Sequence, residues 1–141
     1  MPDEYLDGLR PEDSAAMWRD RVARAELSSV LVAELMDEVV GFADFGRDRR
    51  APESKGVGEL YVINLDPAHW GKGVGRALLR EATAKLISFG FSEAVLWVVP
   101  ENARARSLYE SEGWAVDGGA VTEEMFGVTV TEIRYRRPLG P

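Results

Sequence analysis

Cysteine is absent from the 141 residues, which excludes disulfides, thiolate metal sites and a cysteine nucleophile. Histidine is nearly absent. His69 alone cannot build a multi-histidine zinc site, and a Ser-His-Asp triad with a spare imidazole is disfavoured. No apolar run approaches the ~20 residues that span a bilayer. The opening MPDEYLDGLRPED is polar and acidic, unlike a secretory leader, so the cytoplasm is the expected compartment and no membrane is expected as a partner. Basic charge is also scarce. Lys plus Arg number 17 against 24 Asp plus Glu, a formal net charge of −7. With a pI near 4.8, nucleic acid is a poor partner. Repeats and low-complexity blocks are missing too. What is present is a balanced 45% hydrophobic and 29% charged composition, enough to build the core of one domain over residues 1–141.

The pattern of elements predicts an α/β arrangement. Pro11 with Glu12 and Asp13 marks a helix start, and Met17, Trp18, Val22 and Ala25 recur at helical spacing, so a helix is predicted over 11–25. Residues 28–35 and 39–45 read as a hairpin of two strands turning at Asp37-Glu38. The stretch RDRRAPESKG has no apolar periodicity and reads as an exposed loop. A strand follows over 58–65, ended by Asp66-Pro67. Val74, Leu78, Leu79, Ala82, Leu86 and Phe89 then share one side of a long helix over 73–89, with Gly90 as its cap. Residues 93–99 (EAVLWVV) form a continuous apolar strand of the doubly buried kind. A shorter helix covers 103–112. Strands are predicted at 114–116 and 128–136, joined by a loop over 117–124. The long helix between two strands implies at least one parallel crossover.

The most informative stretch is LDPAHWGKGVGR, residues 65–76. A strand runs into a glycine-spaced turn and then straight into a helix. Gly71, Gly73 and Gly75 let main-chain amides approach an anion, and the helix start adds positive potential. Lys72, Arg76 and Arg80 add formal charge, the two arginines one turn apart. A pyrophosphate is the ligand such a loop would hold, although the same glycines also suit a plain tight turn. A Walker A string does not occur, and G-x-G-x-x-G fails from either Gly71 or Gly73, where Arg76 or Leu78 takes the last position. A nucleotide-binding module stays open as an alternative.

HWGKGVGRALL resembles the acyl-CoA pyrophosphate loop of the GCN5-related N-acetyltransferase (GNAT) superfamily, whose pattern is Q/R-x-x-G-x-G/A. Gly73 and Gly75 take the two glycines, and Trp70 stands in place of Gln or Arg. Two further stretches are similar to the family in order along the chain. Asn102, Ala105, Tyr109, Gly113 and Trp114 resemble its helix after the splayed parallel strand pair. INLDP, residues 63–67, resembles the strand end that pairs with pantetheine. The resemblance covers about residues 30–136. It implies a mixed, mostly antiparallel central sheet with a splayed parallel strand pair and helices on both faces. Residues 1–23 look like the middle of a longer member, so the usual first strand and helix are expected to be missing and the hairpin edge uncovered. Such an edge invites pairing, which raises the expectation of a homodimer.

The activity so implied is direct transfer of an acetyl group from acetyl-CoA to a primary amine of a small molecule or peptide, with no metal and no covalent enzyme intermediate. The amine must shed a proton, the thioester oxygen wants a donor, and the leaving thiolate benefits from a proton. Ile63, Asn64, Leu65, Gly71, Lys72, Gly73, Val74, Gly75, Arg76 and Asn102 are the implied cofactor-binding residues. Tyr109, seven residues after Asn102, is the candidate acid. The alternatives are a packed interface tyrosine for Tyr109 and a helix cap for Asn102. Glu59, fourteen residues before Gly73, is the candidate base, with an ordered-water relay as the alternative. Family enzymes that acetylate ribosomal protein termini resemble a different pattern, with a glutamate where this chain has Trp97. His69 reads as a solvated loop residue. Trp18, Trp97 and Trp114 read as core, and Arg47, Arg49 and Arg50 as a solvated loop that could shape the substrate entrance. A non-catalytic acyl-CoA-binding or sensor domain of the same fold is the competing function.

Overall fold

The computed structural model describes residues 17–22, 29–35, 37–51, 53 and 55–140. Seven strands form one sheet in the order β1-β2-β3-β4-β5-β7-β6. In chain order these are β1 Met17–Val22, β2 Ser29–Leu35, β3 Glu38–Arg47, β4 Val57–Leu65, β5 Glu93–Val98, β6 Ala115–Met125 and β7 Val128–Pro138. Helix α1, Val74–Ser88, crosses from β4 to β5, and α2, Ala103–Ser111, follows β5. Every neighbouring pair is antiparallel except β4 with β5. The mixed, mostly antiparallel sheet with a single parallel pair is therefore as the resemblance implies.

Among the described residues both helices pack on one face of the sheet, where the resemblance implied helices on both faces. Leu78, Leu79, Ala82 and Leu86 of α1 are buried with Leu31, Ala43, Phe45, Leu60 and Leu96 of the sheet. Gly58 shows how tight this contact is: a Cβ there would stand 2.8 Å from both Leu86 and Phe91. Tyr109, the buried residue of α2, packs against Tyr135 of β7 and Trp114, at ring distances of 6.0 and 6.4 Å. Side chains alternate along a strand, so Glu59 and Tyr61, flanking Leu60, project from the opposite face.

Two expectations are corrected. The helix predicted over 11–25 is, in its described part, the strand β1, paired with β2 from Met17↔Glu34 to Val22↔Ser29. Six residues carry too little pattern to outweigh the hydrogen bonds an open strand edge offers. The remaining residues of that segment lie outside those described. β2 is consequently not the sheet edge, and the argument from an uncovered hairpin no longer supports a homodimer. The loop predicted over 117–124 is strand. β6 and β7 form a long hairpin whose turn places Phe126 and Gly127 at φ 53° and 79°. The Asp-Gly-Gly stretch that looked like a loop lies where the register shifts between Val116 and Ala120. A bulge of this kind uses glycines without ending the strand. Among the described residues, no helix is long and apolar enough to cross a membrane.

Candidate active site

The glycine loop forms as its spacing predicts. β4 ends at Leu65, and a single 3-10 turn, Pro67–His69, follows. The Asp66 carboxylate caps that turn by accepting from the Ala68 amide at 3.1 Å. Gly71 and Gly73 then take left-handed backbone at φ 80° and 84°. Gly75 lies inside α1, where a Cβ would meet only ordinary contacts at 3.7 and 3.8 Å. No side chain caps α1 at Gly73. The amides of its first turn, at Val74, Gly75 and Arg76, precede the first i to i−4 bond and remain open to an acceptor.

The cations divide. Arg76 does not reach the loop: its guanidinium donates to Ser111 at 2.8 Å and to Glu112 at 2.5 Å. Arg80 donates to the same carboxylate at 2.7 and 3.2 Å. These arginines tie α1 to the end of α2. The charge read from the sequence as anion-binding is largely spent on a helix clamp, and Lys72 is the cation left beside the loop glycines. Burial alone would push the Glu112 carboxyl up; the hydrogen bonds from Arg80 and Arg76 outweigh it and hold the group below its ordinary value. His69 is half-buried, its Nδ1 without a partner among the described residues, and is not the fully solvated group expected.

The parallel pair supplies the second feature. β4 and β5 are matched only from Val57↔Glu93 to Leu60↔Leu96, while β4 runs on to Leu65. Beyond Leu60 the two strands splay. The Asp66 amide bonds Val40 of β3 at 2.8 Å, so by alternation Asn64 also turns its peptide toward β3. Ile63 and Leu65 turn theirs toward the gap. Of the strand-end residues, these two therefore offer main chain to a ligand. The Leu65 carbonyl accepts from the Trp70 indole at 3.0 Å, and the Arg104 guanidinium lies 4.4 Å over the Trp70 ring. Trp70, the departure from the family pattern, thus bridges the end of β4 and the start of α2 across the mouth of the gap.

Asn102 caps α2 by accepting from the Ala105 amide at 3.1 Å. That confirms the cap reading and leaves the amide NH2 group for a ligand. Tyr109 is 6% exposed, and burial pushes its phenol up to about 12. It is therefore a neutral donor throughout the physiological range.

Glu59 lies on the far side of the sheet. A cavity of about 430 Å³ there is lined by Arg49, Arg50, Glu59, Tyr61, Trp97 and Glu132. Glu59 is 3% exposed, and its carboxylate accepts from the Arg49 amide at 2.9 Å and the Arg49 guanidinium at 3.4 Å. Arg49 lies 3.9 Å over the Tyr61 ring, and Arg50 lies 4.8 Å over Trp97. Trp97 is a wall of this cavity rather than core, whereas Trp114 is core at 2% exposure. The side chain of Trp18 lies outside those described. Tyr61 and Glu132 escaped the sequence reading, and Trp97 was read as core. Tyr61 and Trp97 alternate with the buried Leu60, Leu96 and Val98, but the sequence does not name what the facing side of their strands meets, and Glu132 has no buried neighbour to mark it. Glu59 thus lies on the face of the sheet opposite the one that α2 and Tyr109 cover, within the paired part of β4 and β5.

The mixed sheet, the crossover helix opening on left-handed glycines and the splayed parallel pair are the fold features that the resemblance implies. Residues 1–114 match the family model described as the acetyltransferase (GNAT) family, and the chain belongs to that family. It is 37% identical over 105 residues to the uncharacterized N-acetyltransferase YuaI of Bacillus subtilis, covering 72% of this chain and 57% of that protein. It is 47% identical over 58 residues to a mycothiol acetyltransferase of Beutenbergia cavernae, covering 41% of this chain and 20% of that enzyme. The chain therefore spans less than two thirds of the length of these relatives. The structure superposes on the Salmonella typhimurium acetyltransferase YncA, solved with its cofactor acetyl-CoA. The TM-score is 0.70 at 28% identity, over 80% of this chain and 65% of that one.

Proposed function

We propose that the protein is an N-acetyltransferase that moves an acetyl group from acetyl-CoA to a primary amine of a small molecule or peptide. The observation that carries this reading is the uncapped start of α1, with Gly71 and Gly73 in left-handed backbone, standing beside the splayed ends of β4 and β5. The fit is sound in kind. Open amides at Val74, Gly75 and Arg76 with Lys72 suit a pyrophosphate, the peptides of Ile63 and Leu65 with the Asn102 amide suit pantetheine, and the gap opens just past Leu60, the residue after Glu59. Acetyl-CoA, when bound, supplies the acetyl thioester.

The roles of this chain's residues follow from their chemistry. Glu59 takes a proton from the acceptor ammonium. Its two bonds to Arg49 leave lone pairs on both oxygens for that task. The freed amine nitrogen bonds the acyl carbon and sheds its second proton to water, the carbon–sulfur bond breaks, and Tyr109 donates a hydrogen bond to the departing thiolate. A phenol near 12 facing a thiolate whose thiol lies near 8.5 makes complete proton transfer uphill by about 5 kcal/mol. Tyr109 therefore acts chiefly as a hydrogen-bond donor, and solvent completes the protonation.

Two measurements on the full chain test the reading. Acetyl-CoA should raise the melting temperature by mass action, with ATP and NAD doing less. Thiol release should then depend on an added amine. Protection by acetyl-CoA with no amine-dependent thiol release across a broad panel would favour the sensor domain instead.

A further inference from the structure

Glu59 already holds a cation, and that cation belongs to the chain. The Arg49 guanidinium donates to the Glu59 carboxylate at 3.4 Å and lies 3.9 Å over the Tyr61 ring. A buried carboxylate beside an aromatic face is the chemistry that receives an ammonium. The field around Tyr61 agrees. Burial raises its phenol first, Glu59, Asp44 and Asp48 raise it further, and Arg49 works against them.

The guanidinium is held less firmly than the backbone that carries it. The Asp48 amide donates to the Val57 carbonyl at 3.2 Å, the Tyr61 hydroxyl donates to the Arg47 carbonyl at 2.6 Å, and the Arg49 amide donates to Glu59 at 2.9 Å. These bonds fix residues 47–49 through main chain alone. The guanidinium adds one longer bond, from a side chain 62% exposed against 4% for that of Glu59. Such a contact is weak, and a rotamer change releases it to water while the main chain stays in place. Arg50 is held elsewhere, by Glu123 at 3.3 Å and over the Trp97 ring.

We infer that the Arg49 guanidinium occupies the acceptor's place: a protonated aliphatic amine displaces it from Glu59 and the Tyr61 face, so Arg49 is a built-in competitor that sets acceptor affinity. An alkylammonium restores to Glu59 the charge partner that the departing guanidinium removes, and a buried carboxylate is not left unpaired. An aromatic amine is neutral at pH 7 and cannot make that exchange, so the site selects against it. The ammonium then stands at Glu59, which takes its proton. The inference rests on the N-acetyltransferase reading and deepens it.

The test measures thiol release from acetyl-CoA by the full chain with three aliphatic amines, butylamine, benzylamine and phenethylamine, and two aromatic ones, aniline and 4-methylaniline. KM for the aromatic amines should exceed that for benzylamine by about tenfold or more, the effect of one charge-assisted pair. n-Propylguanidine, the arginine side chain on its own, should inhibit competitively against benzylamine and not against acetyl-CoA. Arg49→Gln removes the charge and keeps the main-chain bond to Glu59. It should lower KM for benzylamine about threefold to fivefold, the scale of an exposed ion pair, and lower the inhibition constant of propylguanidine by the same factor. A merely structural Arg49 would give the opposite sign, a higher KM from a loosened loop. An unchanged or raised KM in a variant that melts with the parent would overturn the inference, as would aromatic amines with the lower KM. Absence of propylguanidine inhibition in the parent would overturn it without any variant. Thiol release with none of the five amines, while acetyl-CoA still raises the melting temperature, would overturn this acceptor class and leave the acetyltransferase reading to a broader panel. Absence of any acetyl-CoA protection would sink both.

Discussion

Tyr109, Glu59 and Gly73 carry the predictions that belong to single residues. Tyr109→Phe keeps the ring against Trp114 and Tyr135 and removes only the hydroxyl. If the phenol supports the leaving thiolate, kcat falls by roughly 10²-fold while acetyl-CoA binding stays near that of the parent. A phenol that merely orders pantetheine would weaken binding and spare kcat. Glu59→Gln should lose most activity at low pH, where the amine is protonated, and recover in part at high pH as free amine accumulates; an unchanged pH–rate profile would transfer the base role to a water relay. Gly73→Val should abolish thermal protection by acetyl-CoA, since a branched side chain at φ 84° both strains the backbone and fills the approach to the α1 amides. Undiminished protection in that variant would remove the anion loop from the mechanism. These three residues were legible in the sequence because turn chemistry and family spacing are local. Glu132 and Tyr61 were not, because a strand's alternation says that a side chain changes face without saying what the face meets.

At the level of elements, the two helices are joined by the Glu112 carboxylate, which draws on Arg76 and Arg80 together. Because the folded carboxyl lies below its ordinary value, the clamp stabilises the protein fully above the unfolded value near 4.5 and is lost as pH falls through the lower folded value. Glu112→Gln should therefore cost about 1 kcal/mol at neutral pH, the scale of an ion pair whose arginines are 38% and 49% exposed, and should flatten the acid limb of the stability curve. Urea unfolding at pH 7 and at pH 3.5 would show it; an equal loss at both pH values would mean the clamp is not electrostatic. The helix positions themselves were predictable within a residue or two, since an apolar stripe and a glycine stop are features of one segment. That Arg76 faces α2 rather than the loop was not, since it depends on where a helix thirty residues later comes to rest.

Across the whole molecule, the decisive feature is the incomplete pairing of β4 with β5. Ile63 and Leu65 turn their peptides into the gap, so their amides should exchange quickly in the free protein and slow when acetyl-CoA is added, with Asn64, committed to β3, little changed. Hydrogen exchange resolved by residue would read this; equal slowing of all three would indicate general tightening rather than pairing across the gap. The same scale governs the sheet's outer edge, where, among the described residues, β1 rather than the β2–β3 hairpin takes the last position.

The sequence by itself determined the composition limits, the strand–glycine–helix loop at residues 65–76, the extent of α1 and α2 and the order of most strands. All of these follow from interactions within a few residues of one another: capping, left-handed glycines and the period of apolar side chains. Only the tertiary structure decided that residues 17–22 are strand, that 117–124 is a bulged strand and not a loop, that Arg76 and Arg80 clamp Glu112, and that Arg50, Trp97 and Glu132 share one cavity with Glu59. Each of those outcomes depends on which strand lies beside which. Hydrogen bonding at an open edge and contacts between residues as much as 73 positions apart are worth more than local preference, and neither is written in any single stretch of the chain.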